Sequence, residues 1–213
     1  MNNNYILTII ILILYIFYIN QKGSFIKNLI WRRAEKHFSP GFIDINPIKL
    51  AIINAPSSYG IQPFRVIVIT NKKIKEKLKA VCHNQPQITE SYCLFIFCAL
   101  NNLEERINQY VEQSGFISKK EYMIKYINAL PSKIEWAKRQ AYIALGFAMA
   151  AAMELGIASC PMEGFNSDGI SNILNLDKIL VPCVLLTVGN KNNNYGLEKR
   201  FRFIDDDIFN ILN

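Results

Sequence analysis

The sequence predicts a mixed α and β domain, and three observations carry that prediction. Apolar, β-rich runs at Arg65–Thr70, Tyr92–Ala99 and Val181–Gly189 alternate with stretches of helical spacing. One helix, from near Ser132 to Leu155, is apolar or Gly at every position from Ala141 to Met153, so it belongs in the middle of a protein rather than on a surface. That run is well short of the roughly 20 apolar residues that a bilayer span needs. Its Ala and Gly content lets a second backbone approach, which places it at or near a subunit interface. Finally, 51% hydrophobic and 19% charged residues in a chain of 213 give the core of one ordinary domain.

Residues 1–22 stand apart from residues 23–213. No charged side chain occurs before Lys22, and Tyr5–Ile19 is an almost unbroken apolar run. As a helix it covers about 22 Å at 1.5 Å per residue, against a hydrocarbon core of roughly 30 Å. A basic start and a small-residue cleavage site are both missing, so it does not read as a signal peptide. The expectation is a short membrane anchor with interfacial Tyr5, Tyr15 and Tyr18. Lys22, Lys27, Arg32 and Arg33 follow it and would keep the main domain in the cytoplasm. The alternative is an apolar helix packed on the domain or a partner.

Past this leader, Phe25–Trp31 has helical spacing and runs into Arg32-Arg33-Ala34-Glu35-Lys36-His37-Phe38, where a continued helix would put Arg32 and Lys36 on one face. Asn46-Pro47 opens a second helix reaching Asn54, with proline in the first turn. The loop Ala55–Phe64 sets Ser57, Ser58, Tyr59 and Gln62 between Pro56 and Pro63, and a polar loop stiffened by proline reads as a ligand loop. Asn71–Cys82 is an amphipathic, Lys-rich helix, and Asn84, Gln85 and Gln87 then offer three amides within four residues. Residues 101–130 form two charged surface helices broken at Ser114-Gly115 and stopped by Pro131. Ser132 is a good N-cap for the central helix and Gly156 a left-handed stop. Ala158–Phe165 is short and apolar and ends at Gly164, whose N–H can come close to a ligand; an ordinary helix-to-strand connection would look the same. Lys199–Phe203 interleaves three cations with two aromatics.

The net charge of +7 suits an anionic ligand or surface, but no basic stripe with interleaved aromatics points to nucleic acid. Five cysteines without CxxC spacing read as free, buried thiols. The chain has no GxGxxG, GxxxxGK[ST] or GxSxG, and its two histidines, His37 and His83, stand at no metal-ligand spacing, so hydrolase, kinase and zinc chemistry are disfavoured and no metal is expected.

Five segments occur together in order: RRAEKHF at 32–38, APSSYGIQPFRVIVIT at 55–70, NQPQI at 84–88, MELGIASCPMEGF at 153–165 and RFRF at 200–203. In this register the chain resembles the FMN-dependent nitroreductase family, in the branch of oxygen-insensitive NAD(P)H nitroreductases and dihydropteridine reductases, over roughly residues 24–210. The resemblance implies an α+β fold with a central, mostly antiparallel sheet flanked by helices, in an intertwined homodimer with two FMN sites between subunits. It further implies hydride transfer from NADH or NADPH through FMN to a nitroaromatic, quinone or similar small-molecule acceptor, by a ping-pong mechanism.

By motif, Arg32, Arg33 and Ala34 match positions near the FMN phosphate and ribityl chain, and Lys36 matches one at the pyrimidine edge. Pro56, Ser57, Ser58, Gly60 and Gln62 match the loop that covers the flavin from the other subunit. Asn84 and Gln87 match the pyrimidine edge again. Pro161, Met162, Glu163 and Gly164 match the turn whose backbone N–H groups approach the flavin nitrogen that takes the hydride, so Glu163 and Gly164 would act through the backbone and no side chain is an obligatory acid. Arg200 and Arg202 match the basic pair at the phosphate. The chain departs from relatives at Ala34 (often Ser), Gly60 (Asn in some), Gln87 (Lys) and Arg200 (often Lys). Two other readings share the fold: a membrane-anchored dehalogenase-like flavoprotein, which needs Glu104, Glu105, Arg106, Tyr110 and Glu112 to grip an amino-acid zwitterion, and a non-catalytic flavin-binding protein.

Overall fold

The three long apolar runs pair into the middle of one antiparallel sheet. A computed structural model describes residues 24–195 and 199–212, and the expected anchor at 5–19 lies outside them. The strands are β1 (Phe38–Ser39), β2 (Phe64–Ile69), β3 (Cys93–Leu100), β4 (Ala158–Met162) and β5 (Leu180–Lys191). Their order is β1-β5-β3-β2, with β4 also on β5, and every pairing is antiparallel.

All of β3 is buried, because helices cover both faces of the sheet. Alternate side chains divide between two cores. Cys93, Phe95 and Phe97 pack with Ala141, Ala144, Leu145 and Ala148 of the central helix. Leu94, Ile96 and Cys98 face the opposite way, onto Leu78, Cys82 and Ile170.

The helices are α1 (Ser24–Trp31), α2 (Asn46–Ile53), α3 (Lys72–Val81), α4 (Gln87–Glu90), α5 (Leu103–Ser114), α6 (Lys120–Asn128), α7 (Lys133–Glu154), α8 (Ser167–Leu174) and α9 (Asp205–Ile208). The caps of α7 are those its sequence announces: the Ser132 hydroxyl accepts from the Glu135 N–H at 3.4 Å, and Gly156 turns the chain at φ +68°. The expectation that no face of this helix meets water does not hold within one protomer. Trp136, Ala137, Gln140, Ala141, Ala144, Leu145 and Ala148 are buried, but Tyr142, Ile143 and Phe147 remain 37%, 40% and 43% exposed.

Two local expectations change. The first helix stops at Trp31, so Arg32 and Lys36 share no helical face; the chain instead runs beside β4, with a parallel bridge from Ala34 to Ser159 and the Glu35 N–H on the Ser159 carbonyl at 3.1 Å. The apolar stretch after α7 is largely the strand β4, which ends at Met162, and residues 163–166 connect it to α8. All five cysteines are free. Burial pushes the Cys82 thiol up to about 11 and those of Cys93 and Cys98 to about 12, which keeps them unreactive near neutrality.

Candidate functional site

The end of α1 and the C-terminal basic segment meet and form a cleft of about 550 Å³. Arg32, Arg33, Ala34, Glu35, Lys36 and His37 line one side; Tyr195, Lys199, Arg200, Phe201 and Arg202 line the other. The meeting has a local cause. A helix leaves its last carbonyls without partners, and at the end of α1 arginines supply the donors. Arg33 Nη1 donates to the carbonyls of Ile30 (2.8 Å), Trp31 (3.0 Å) and Arg32 (3.1 Å). Arg200 Nη1 donates to those of Leu29 and Ile30, which ties the C-terminal segment to the helix.

Among the described residues, six cations thus surround one small volume and Glu35 is the one carboxylate in its lining. Among the described residues none of the six belongs to an ion pair. Burial lowers the Arg32 pKa from its ordinary value, and the neighbouring charges of Arg202 and Arg200 lower it further. Arg32 Nη1 and Arg200 Nε are buried and have no hydrogen-bond partner among the described residues. Buried charged donors without acceptors are rare because each costs free energy. A dianionic phosphate supplies the missing acceptors and offsets the repulsion together. The lining therefore fits a phosphate-bearing ligand.

A second group of predicted residues gathers just past the end of β4. The Gln85 amide donates to the Gly164 carbonyl at 2.9 Å and the Cys82 carbonyl at 3.1 Å, and its Oε1 accepts from Gln87 Nε2 at 2.9 Å. His83 and Asn84 turn the chain there with φ of +53° each. Gln87 is 2% exposed, so the amide that meets the Glu163-Gly164 turn is Gln85, which the motif comparison passed over. The Tyr142 hydroxyl donates to the Cys183 carbonyl at 3.3 Å, and its pKa is raised by burial first and by the neighbouring Glu163 second.

The loop at 55–64 does not line the basic cleft of its own protomer. It is held rigid instead. The Ser58 N–H donates to Gln140 Oε1 at 2.9 Å, the Gln62 N–H to Ser57 Oγ at 3.0 Å, and Arg106 Nε to the carbonyls of Ile61 (2.8 Å) and Gln62 (3.2 Å). Tyr59 and Gln62 sit at φ +57° and +45°, a conformation that costs about 1–3 kcal/mol per residue and persists only under such restraint. Gly60 lies 3.8 Å from the Tyr110 ring, measured from the position a Cβ would take. Of the groups a zwitterion grip would use, Arg106 is committed to this loop, Glu105 to Asn102 at 2.6 Å and Glu104 to Lys133 at 3.8 Å.

Glu35, His37, Tyr195 and Lys199 line the cleft without having been singled out, and Arg106 and Gln140 brace the loop. Gln85 was visible as one of three clustered amides; Tyr195 carries no signal beyond its place after an Asn-rich turn.

Comparison with known proteins was consistent across sequence and structure. Residues 29–190 match the Nitroreductase family. A Staphylococcus saprophyticus protein named for NAD(P)H nitroreductase activity is 31% identical over 175 residues, 72% of this chain and 79% of its own. A Staphylococcus epidermidis protein with the same kind of name is 34% identical over 173 residues, covering 70% and 77%. Among solved structures, a Bacillus subtilis nitroreductase superposes with TM-score 0.80 at 21% identity, over 90% of this chain and all of that one. An Exiguobacterium sibiricum nitroreductase crystallised with FMN superposes with TM-score 0.73 at 19% identity, over 87% and 96%.

Proposed function

The chain belongs to the nitroreductase family, and on that premise we propose that it works as a homodimeric flavoenzyme carrying electrons from NAD(P)H to nitroaromatic, quinone or similar acceptors. It is an oxidoreductase with FMN as cofactor and NADH or NADPH as donor. The observation that carries the site assignment is the pair of buried nitrogens, Arg32 Nη1 and Arg200 Nε, that have no partner among the described residues and lie in a cleft lined by six described cations.

When bound, FMN supplies the two-electron chemistry, taking a hydride from the nicotinamide and passing it to the acceptor. The chain's own part is to bind and to set charge. Arg32, Arg200 and Arg202 would hold the phosphate by charge-assisted bonds, with Arg33 and Ala34 beside them. Lys36 would place a cation where negative charge accumulates at the pyrimidine edge, with Asn84 and Gln87 on that side. The N–H groups of Glu163 and Gly164, at the end of Pro161 and Met162 on β4, would face the reacting nitrogen and need no reorganisation when electrons arrive. Pro56, Ser57, Ser58, Gly60 and Gln62 would close the partner's site, a role suited to a loop so firmly braced. The exposed apolar stripe Tyr142, Ile143 and Phe147 supports the dimer, since apolar side chains in a row on a central helix call for a covering surface.

One exposed flavin face cannot take donor and acceptor together. Initial rates of NAD(P)H oxidation with a quinone or nitro compound are therefore expected to give parallel double-reciprocal lines. Intersecting lines would overturn the shared-face mechanism, and a purified protein with no visible flavin absorption would overturn the cofactor assignment.

The membrane anchor at 5–19 belongs to the same proposal, with the catalytic domain in the cytoplasm. Among the described residues no helix is long and apolar enough to cross a membrane, and the proposed anchor is the leader. Removing residues 1–21 is expected to move the protein from the membrane fraction to the supernatant with flavin retained. Full-length protein that needs no detergent would favour a leader packed on protein.

A further inference from the structure

The two basic segments of the cleft come from opposite ends of the sequence, and besides Arg200 a second side chain, His37, joins them. The His37 imidazole stacks on the Tyr195 ring at 3.8 Å between centroids and 11° between planes. Its Nδ1 lies 3.1 Å from Glu90 Oε2, and that same oxygen accepts the Phe38 N–H at 3.2 Å. Glu90 ends α4, and the carbonyls just around it, Thr89 and Ser91, accept from the buried Lys75 ammonium. The imidazole is thus fixed in orientation by a chain of contacts running into the body of the domain. Its flat face is left for Tyr195, four residues before Lys199.

The segment that carries Arg200 and Arg202 needs such a fastening. Its described residues before α9, 199–204, form no helix or strand, Phe201 and Phe203 are 69% and 64% exposed, and Arg32, Arg33, Arg200 and Arg202 repel one another across the cleft. Arg200 holds one point, at the end of α1. A second point is required to fix its direction over the cleft.

We propose that His37 is a positioning residue for the phosphate grip: by stacking on Tyr195 it clasps the C-terminal basic segment against Arg32–Lys36, so that Arg200 and Arg202 stand ready on one side of the cleft. The proposal rests on the assignment of that cleft to FMN, though the clasp itself does not need the ligand. A site competent only when its arm is docked shows an affinity reduced by the docked fraction. An arm docked a tenth of the time would bind about tenfold more weakly.

The test uses the full-length protein and the variants His37→Ala, His37→Phe, Tyr195→Ala and the double His37→Ala/Tyr195→Ala. Two quantities are read: the Kd for FMN by flavin fluorescence, and, without FMN, the rate of tryptic cleavage at Lys199, Arg200 and Arg202. The expected result is a Kd raised about tenfold and faster cleavage in both single Ala variants, with the double variant no worse than either. His37→Phe, which keeps a flat ring but loses the Glu90 contact that orients it, recovers part of both. Wild-type cleavage and Kd in the Ala variants, additive losses in the double, or a Phe variant as impaired as Ala would each overturn the clasp. If the unaltered protein fails to bind FMN, the cofactor assignment falls while the cleavage rates still decide the clasp.

Discussion

Replacing Arg32 with Ala is expected to release FMN while leaving the apoprotein at least as stable as before. The two effects have opposite causes. Arg32 Nη1 has no protein partner among the described residues, so its removal breaks no hydrogen bond there, and it relieves repulsion from Arg202 and Arg200. Toward a phosphate the same group makes a charge-assisted bond worth about 1.5–3 kcal/mol, or roughly tenfold to a hundredfold in Kd. Arg202→Ala should behave alike, since among the described residues its side chain hydrogen-bonds only the neighbouring Phe201 carbonyl. Arg200→Ala should differ, because its Nη1 also caps the end of α1, so it should lose stability and FMN together. Fluorescence titration and thermal melting of the apoprotein check the set. Arg32→Ala that holds FMN as tightly as the unaltered chain would mean the phosphate lies elsewhere.

The contrast shows which parts of the molecule a linear reading reaches. β2, β3 and β5 were legible because each is a continuous apolar run, and α7 because Ser132 and Gly156 mark its ends. β1 has two residues and no periodicity to read. β4 carries Pro161, which argues against a strand, yet a strand paired with one long neighbour tolerates a missing N–H. The break of α1 at Trp31 was hidden because Arg33 and Arg200 supply the cap through side chains, where sequence rules look for a glycine. In the site, Arg32, Arg33, Lys36, Arg200 and Arg202, each carried by a motif, line one cleft. Those that act through long-range contacts did not show: the His37–Tyr195 stack, the Gln140 and Arg106 braces and the Gln85 link each pair positions far apart in the chain.

That Gln85 link sets up the last prediction. A valine at Gly164 is expected to lower the melting temperature and to abolish most flavin retention. Gly164 is not at positive φ, so the backbone does not forbid a side chain; the space does. A Cβ there would lie 3.0 Å from Gln85 Nε2 and 3.4 Å from His83 Cδ2. Gln85 has little room to give, since its amide is engaged by the carbonyls of Gly164 and Cys82 and by Gln87 Nε2. Overpacking of this kind costs about 1–3 kcal/mol. The strain falls on the turn whose N–H groups would meet the reacting edge of the flavin, and the γ-methyl groups would fill the approach to them. Gly164→Ala should show a graded, smaller loss. Gln85→Ala introduced beside Gly164→Val should recover part of the melting temperature, because the two side chains no longer compete for one space, a non-additive result that separates this clash from general damage. Flavin retention should stay low in that double variant, since the methyl groups still block the N–H groups. A Gly164→Val protein that binds FMN like the unaltered chain would remove the turn from the site. A double variant that melts no higher than Gly164→Val alone would show that Gln85 is not what the side chain strikes.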